Sequence, residues 1–191
     1  MRALLHTCCG PCASHAVAEL RRLGYTVTLC FSNANLAPAD EHDRRLEAAR
    51  KLAAHVQAPL IVDPPDHAAW LAAMTGLENA PEGGERCLRC FRYALARVQA
   101  LAAAQGFDAF ATSLTISPHK RSAAIFEIGR ALDPVRFLAV DFKKRDGFRR
   151  STEIAAACGL YRQNYCGCEF SPRRLSVLGL GSVQGLLPTV S

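Results

Sequence analysis

The sequence predicts a single α/β domain built around a mainly parallel sheet. Short apolar runs rich in Leu, Val, Ile and Phe alternate with longer segments whose apolar residues recur at helical spacing. Half of the 191 residues are hydrophobic, so the chain can bury a core, and its length agrees with one domain. Strands that alternate with helices pair in parallel, which gives a layered α/β sheet.

The first half of the chain predicts three strands and two helices. The strands cover residues 3–7, 25–31 and 59–62. Apolar residues at helical spacing from Ala13 onwards predict a helix that Gly24 ends. A second helix over 40–55 begins with Asp40 as its N-cap.

The second half predicts two further helices and two further strands. Cys87 and Cys90 stand at the start of a helix that ends at Gly106. Ser117 and Pro118 offer an N-cap and a first-turn proline for the next helix. The strands cover residues 108–112 and 136–140.

Three loops of this sheet should share one rim. Ligands of parallel α/β sheets bind at the carboxyl ends of the strands, where the loops to the helices emerge. The Cys8–Cys9 pair follows the first strand, residues 112–120 follow the fourth, and residues 141–144 follow the fifth. We therefore expect these side chains to lie close together.

Nine cysteines, seven of them clustered, predict soft-metal or redox chemistry. The clusters are Cys8, Cys9 and Cys12; Cys87 and Cys90; and Cys166 and Cys168. Thiolates spaced so closely can converge on one ion, and together they exceed the four ligands of a tetrahedral zinc site. Cys30 and Cys158 lie in apolar segments without a cysteine neighbour, so we expect ordinary buried thiols there.

A disulfide-stapled secreted protein is the alternative class for a cysteine-rich chain. The first residues contain no apolar core of signal-peptide length, and cysteine lies below the density of about 8 to 10% that marks disulfide frameworks. We therefore expect a cytoplasmic protein with free thiols, except where they bind metal or take part in catalysis. The uncharged segment 175–191 is too short and too broken to span a membrane, so no membrane partner is expected. We expect the α/β domain to cover residues 1–174.

The first two clusters depend on local backbone geometry. On a regular strand Cys8 and Cys9 would point to opposite faces, so both reach one centre only if the strand has already ended. At a helix N-terminus the helix dipole favours the ionised forms of Cys87 and Cys90. Both pairs are therefore expected to supply anionic ligands.

The third cluster allows several uses. Cys166 and Cys168 are separated only by Gly167, so they can chelate one ion or close as a strained, labile disulfide. A zinc ion that staples the fold through these thiols and the pair at 87 and 90 is a further alternative.

The positive charge makes nucleic acid a candidate partner. The net charge is +6 and the pI is near 9.0. The densest basic run, with Phe148 among its charges, contains Lys143, Lys144, Arg145, Arg149 and Arg150. The alternative is a solvated face that binds nothing.

Four long motifs resemble those of the QueH-type epoxyqueuosine reductases. They are His-Thr-Cys-Cys-Gly-Pro-Cys-Ala at 6–13, Glu-Arg-Cys-Leu-Arg-Cys-Phe at 85–91, Ala-Thr-Ser-Leu-Thr-Ile-Ser-Pro-His-Lys at 111–120 and Leu-Tyr-Arg-Gln-Asn-Tyr-Cys-Gly-Cys-Glu-Phe-Ser at 160–171. The resemblance implies a cytosolic iron–sulfur enzyme that reduces epoxyqueuosine to queuosine at the wobble position of tRNA, the last step of queuosine formation. It also implies a sheet similar to the adenine nucleotide α-hydrolase and PP-loop type, without the phosphate loop of its ATP-using members.

The same resemblance implies roles for the cysteines. The ligands of a 4Fe-4S cluster would be Cys8, Cys9, Cys87 and Cys90. Cys166 and Cys168 would form a redox-active pair or bind a second metal, a mononuclear iron. Cys12 and Asp141 are further candidates for that second metal. Cys12 can instead replace Cys8 in the cluster, and Asp141 can instead cap a turn.

Polar residues on the same rim are candidates for substrate contacts. His119 and Lys120 can donate protons or bind phosphate. Arg162 and Tyr165 can stack on or grip the nucleotide, while the basic run at 143–150 grips the tRNA backbone. The electron donor is not identified by the sequence.

Two rival classes explain parts of this pattern. A zinc-stapled RNA-binding module accounts for the basic charge and the cysteines. A thiol-based oxidoreductase without iron accounts for Cys166 and Cys168. An iron–sulfur protein is brown and bleaches with dithionite, whereas both rivals are colourless.

Overall fold

A four-stranded parallel sheet forms the centre of the molecule. The computed structural model describes residues 1–171. The strands are β1 (Arg2–His6), β2 (Thr26–Phe31), β3 (Leu60–Val62) and β4 (Ala109–Thr112), in the order β3-β2-β1-β4. Every pairing is parallel, which confirms the predicted α/β class.

Within residues 1–171, six α-helices connect and cover the strands. They are α1 (Gly10–Arg22), α2 (Ala39–His55), α3 (His67–Met74), α4 (Glu85–Ala104), α5 (Ser122–Leu132) and α6 (Gly147–Ala157). A short 3-10 turn, Ser113–Ile116, follows β4 directly.

Apolar side chains pack on both faces of the sheet. Leu5 joins a cluster with Val17 of α1 and Leu52 of α2. Its neighbour Leu4 joins a second cluster with Val98 of α4 and Ile125 of α5. Successive residues of a strand point to opposite faces, so β1 contributes to both cores. The molecule therefore has helices on either side of the sheet.

The predicted fifth strand over 136–140 is wrong. Only Phe137 forms a bridge, to Phe110 of β4. Beyond it the backbone amide of Val140 donates to the carbonyl of Leu138, and the Val140 carbonyl accepts from the Thr115 hydroxyl at 2.8 Å. Because these groups are satisfied outside a ladder, the strand does not continue.

Two predicted helix starts are also wrong. The N-cap of α2 is Pro38, and Asp40 lies in the first turn, where its carboxylate pairs with Arg44 at 2.9 Å. The helix expected at Ser117 begins only at Ser122. The Ser117 hydroxyl oxygen accepts from the backbone amide of His119 instead and forms a turn.

Helices α3 and α6 have no counterpart in the sequence prediction. Asp66 caps α3 by accepting from the amide of Ala69 at 2.9 Å. The end of the basic run forms the first turn of α6, so it is not a loop. Within residues 1–171 no helix has the length and apolarity to cross a membrane. The predicted domain boundary at residue 174 and the segment 175–191 lie outside the described residues.

Candidate metal and redox site

A cleft of about 590 Å³ opens at the carboxyl edge of the sheet. The loops that follow β1, β2 and β4 line it together with residues 162–166. This is the position that the strand-end rule predicts for a ligand site. The rim is therefore built from segments that are distant in sequence.

Three thiols meet at the end of β1. The strand ends at His6, and the Sγ atoms of Cys8, Cys9 and Cys12 all lie within 4.8 Å of one another. Cys9 caps α1, because its Sγ accepts from the backbone amide of Cys12 at 3.4 Å. The backbone amide of Cys8 donates to Ser113 Oγ at 3.1 Å. Adjacent cysteines thus reach one centre, as expected, because the strand has already ended.

Gly10 allows the start of α1, which follows these thiols, to pack closely against α2. A Cβ atom built on Gly10 would stand 2.5 Å from the backbone oxygen of Ala48. Any larger residue would push the start of α1 away from α2. The glycine after the two cysteines is therefore required by packing.

The other clustered thiols form a second group beside the cleft. Cys90 of α4 and Cys166 line the cleft, and both pack with the buried Cys168 around Trp70. The charge of Cys166 acts on the pKa values of both Cys87 and Cys90. Cys87 itself is not among the residues that line the cleft. Cys166 therefore lies near both the α4 pair and Cys168.

In the metal-free protein, burial opposes the ionisation that the helix N-terminus favours at the α4 pair. Burial raises the pKa of the Cys87 thiol, and it raises the pKa of Cys90 to about 12. Desolvation disfavours the thiolate more strongly than the helix N-terminus favours it. A metal bound by these two thiols would therefore have to displace their protons.

Lys120 carries a positive charge between the two thiol groups. Burial alone would lower its pKa, but the negative charges of Cys166 and Cys8 outweigh that effect and the pKa is raised. His119 is exposed and also lines the cleft. Lys120 thus stays protonated at neutral pH and stabilises nearby thiolates.

Cys166 and Cys168 share one proton. The hydrogen bond from the Cys168 thiol, with the charge of Lys120, lowers the pKa of Cys166 despite its burial. The same interaction raises the pKa of Cys168. All nine cysteines are free thiols, so this pair is not joined as a disulfide. Its lowered pKa makes Cys166 the more nucleophilic thiol of the two.

A buried ion pair that the sequence did not reveal fixes this loop. Arg45 and Glu41 of α2 pair at 2.6 Å with side chains 4% and 2% exposed. The Arg45 guanidinium also donates to the carbonyls of Cys166 at 2.9 Å and Tyr165 at 3.4 Å. Gly167, at φ +90°, packs so closely on the guanidinium that a Cβ atom has no room. Arg45 therefore determines where the two thiols lie.

Tyr165 belongs to the same network. Arg45 lies 5.5 Å from the centre of its ring, and Glu41 accepts from the hydroxyl of Tyr161 at 2.8 Å. Burial and the hydrogen bond to Glu41 raise the pKa of Tyr165. Tyr165 lines the cleft, but its hydroxyl already forms a hydrogen bond with Glu41 inside the protein.

The basic run divides into engaged and exposed residues. Lys143 is engaged, because its Nζ donates to the carbonyl of Thr115 at 3.0 Å and pairs with Asp141 at 3.3 Å. Arg149 pairs with Glu153 at 2.7 Å. Lys144 and Arg150 are exposed, and their side chains form no ion pair within residues 1–171. Arg145, although exposed, lies 3.8 Å from Glu19, so within residues 1–171 only Lys144 and Arg150 of this run offer charge that no ion pair compensates.

Asp141 does not join the cleft. Its carboxylate accepts from the hydroxyl of Ser122 at 3.1 Å and from the backbone amide of Lys143 at 3.2 Å. It is absent from the residues that line the cavity. The structure thus places Asp141 in a turn, which is the alternative role considered for it.

Arg162 lies at the cleft together with a residue that was not predicted as a site residue. Its guanidinium carbon is 5.5 Å from the centre of the Phe148 ring, and both line the cavity. Phe148 is 40% exposed, which is unusual for a large apolar side chain. Asn33 and Gln163 also line the cleft. The strand-end rule applied to β2 would have identified Asn33, whereas Phe148 was marked only by its position among the charges of the basic run.

Comparison with known proteins identifies the family. Residues 3–174 match the model of the family described as "Epoxyqueuosine reductase QueH". The chain belongs to this family. It is 37% identical over 180 residues to the epoxyqueuosine reductase QueH of Streptococcus pyogenes serotype M1, which covers 89% of this chain and 70% of the relative. The QueH of Dehalococcoides mccartyi is 36% identical over 173 residues, covering 89% of this chain and 92% of the relative.

A solved structure shares the fold of this QueH family member. It is described as a predicted subunit of tRNA methyltransferase from Methanocaldococcus jannaschii, with a TM-score of 0.57 and 14% identity. The match covers 82% of this chain and 74% of that one. At this identity the likeness shows the fold alone.

Removing Cys168 should make Cys166 less reactive at acid pH. The Cys168 hydrogen bond is the main cause of the lowered pKa, so Cys168→Ala should raise it. Thiolate is the reactive form, so a higher pKa lowers the thiolate fraction and the labelling rate at pH values below that pKa. Iodoacetamide labelling of metal-free protein, read at Cys166 by peptide mass spectrometry, checks this. Cys158→Ala is the control, and equal labelling rates in both variants would contradict the shared proton.

Breaking the buried ion pair should destabilise the fold strongly. Arg45→Met leaves the Glu41 carboxylate buried without its cation, which costs about 3 to 5 kcal/mol in the free energy of unfolding. Arg44→Met, which removes an exposed pair with Asp40, should cost less than about 1 kcal/mol. Urea unfolding measures both. Equal losses would show that the Arg45 pair does not organise the site.

Proposed function

We propose that this chain is an epoxyqueuosine reductase that converts epoxyqueuosine in tRNA to queuosine. Its relatives carry that name, and the chain belongs to their family. The observation that carries the proposal is the convergence of two thiol groups and the cation of Lys120 at one cleft. We place the reaction in the cytoplasm, because that compartment keeps cysteine thiols reduced.

The cysteines around the cleft supply the kind of donor that a 4Fe-4S cluster takes. Such clusters are held by four cysteine thiolates, and Cys8, Cys9, Cys87 and Cys90 are the proposed ligands. When bound, the cluster supplies electrons one at a time from a donor that is not yet identified. The compact group that contains Cys12 offers one thiol more than this set uses, which supports an additional mononuclear iron.

The Cys166–Cys168 pair matches the electron demand of the reaction. Converting an epoxide to an alkene consumes two electrons and two protons and releases the oxygen as water. A thiolate and a thiol that close to a disulfide release two electrons and one proton. We propose that Cys166, as the thiolate, and Cys168, as the thiol, supply these, that Lys120 supplies the second proton, and that the pair is reduced again between turnovers.

Lys120 and His119, which both line the cleft, provide a cation and proton donors for the reaction. Lys120 remains protonated among the thiols and can donate a proton to the departing oxygen. His119 is exposed on the same wall and can bind a phosphate or relay a proton from solvent. Both lie in the loop after β4, at the strand-end rim.

The cleft mouth fits a single-stranded nucleotide. The Phe148 ring with the Arg162 guanidinium provides an apolar face beside a cation, on which a base can stack. Lys144 and Arg150, which are exposed and close to Phe148 in sequence, supply charge for the RNA backbone. An enzyme that acts on a base must hold it outside the helical stack.

Turnover tests the proposal directly. Anaerobically prepared protein with dithionite should convert an anticodon stem-loop carrying epoxyqueuosine and leave one carrying guanine unchanged. Cys166→Ala and Cys168→Ala should each reduce the rate at least a hundredfold while their iron content stays near the wild-type value. Cys158→Ala should behave as wild type. Unchanged rates in both pair variants would show that the pair takes no part in the chemistry.

The salt dependence of tRNA binding tests the proposed RNA surface. Replacing Lys144 and Arg150 by Gln should lower the slope of log affinity against log salt by about 0.9 for each phosphate that the protein no longer neutralises. Arg149→Gln is the matched control, because Glu153 already compensates that charge. Affinity for different tRNAs should fall alike, since phosphate contacts carry no sequence information. A slope equal to that of the control would place the RNA surface elsewhere.

A further inference from the structure

Each of the four proposed cluster thiols accepts at least one hydrogen bond from the protein. The donor–acceptor pairs are Ser113 Oγ to Cys8 Sγ at 3.3 Å, the Cys12 amide to Cys9 Sγ at 3.4 Å, the Gly83 amide to Cys87 Sγ at 3.2 Å and Trp70 Nε1 to Cys90 Sγ at 3.4 Å. The donors come from four separate segments of the chain. Two are backbone amides and two are side chains.

The tryptophan is held so that its indole N–H faces the thiol. Trp70 is 1% exposed, and its ring stacks on His67 at 5.5 Å between centres and lies 5.9 Å from Phe170. His67 is itself held by a 2.7 Å hydrogen bond to the carbonyl of Ala34. A buried indole N–H needs an acceptor, and Cys90 Sγ is the acceptor that it reaches within residues 1–171.

The serine makes a reciprocal pair with Cys8. Ser113 is fully buried, and its Oγ accepts from the Cys8 backbone amide while donating to the Cys8 thiol. Its position directly after β4 follows from the parallel pairing of β4 with β1. The donor is therefore fixed by the sheet.

Donors of this kind act on redox potential. A hydrogen bond to a sulfur ligand stabilises negative charge, and a reduced cluster carries one more negative charge than an oxidised one. Each donor therefore favours the reduced state and raises the reduction potential. Partners of the ligands tune a metal centre in this way without contacting the metal.

We propose that Trp70 and Ser113 are positioning residues that set the reduction potential of the cluster through Cys90 and Cys8. This inference rests on the proposed function, because it requires a cluster held by the four thiols. The two donors act on ligands from different segments, so their effects should add.

The chain offers an unusually clean test, because Trp70 is its only tryptophan. Expression in a tryptophan auxotroph fed with 3-benzothienylalanine replaces this one indole N–H by sulfur and keeps the ring size. The reduction equilibrium should shift toward the oxidised cluster by roughly tenfold, about 59 mV for one electron. Anaerobic spectroelectrochemistry measures the midpoint, and iron and sulfide counts verify equal loading.

Ser113→Ala gives the second arm. It should shift the midpoint in the same direction, and the combined protein should show the sum of the two shifts. Ser14→Ala is the matched control, because Ser14 is equally buried but its hydroxyl donates to the carbonyl of Pro11. Its midpoint should equal that of the wild type.

The outcomes separate this inference from the function on which it rests. Fully loaded proteins with unchanged midpoints would overturn the tuning role and leave the proposed function intact. A wild-type protein that binds no iron and sulfide under anaerobic reconstitution would overturn the cluster assignment and, with it, this inference.

Discussion

The parallel register of β1 is the constraint on which the site depends. β1 lies between β2 and β4, and His6 is paired with Cys30 on one side and Thr112 on the other. The segments that follow these three positions must therefore emerge at the same edge. This brings Cys8 to Ser113 and opens the cleft beside Asn33. Apolar packing on both faces of β1 keeps the register, since a slip by one residue would move Leu4 and Leu5 to the opposite faces and disrupt both cores.

Charge balance is the second requirement of this edge. Thiolates in a buried cleft are costly unless cations lie near them, and two such cations are present. Lys120 faces both thiol groups, while Arg45, held by Glu41, fixes the loop around Gly167. The same residues that neutralise the thiols thus position them. Stability and chemistry are coupled here, because a loss of either cation leaves charge uncompensated.

The sequence predicted the features that depend on residues close together in the chain, and it missed those that depend on contacts between distant segments. Strand and helix periodicity identified the sheet, and cysteine spacing identified the thiols that approach the cleft. The start of α5 was misplaced because Ser117 and Pro118 suit a turn as well as a helix cap. Arg45 and Glu41 looked like an ordinary surface pair at helical spacing, since nothing local shows that the loop at 165–168 packs over them. Phe148 was read as part of a charge run because its exposure at a cleft mouth is a tertiary property.

The assignment of Cys8, Cys9, Cys87 and Cys90 as cluster ligands is the central claim, and ligand-by-ligand metal content tests it most directly. Iron and acid-labile sulfide would be counted in anaerobically reconstituted wild type, Cys87→Ser, Cys90→Ser and Cys158→Ser. The account predicts about four sulfides in the wild type and in Cys158→Ser, with about four irons in the cluster and about one more at the mononuclear site. It predicts a large loss in the two α4 variants, with the fold retained by circular dichroism. Full iron and sulfide in either α4 variant would contradict the account and favour a centre built on the compact group at Cys8, Cys9 and Cys12.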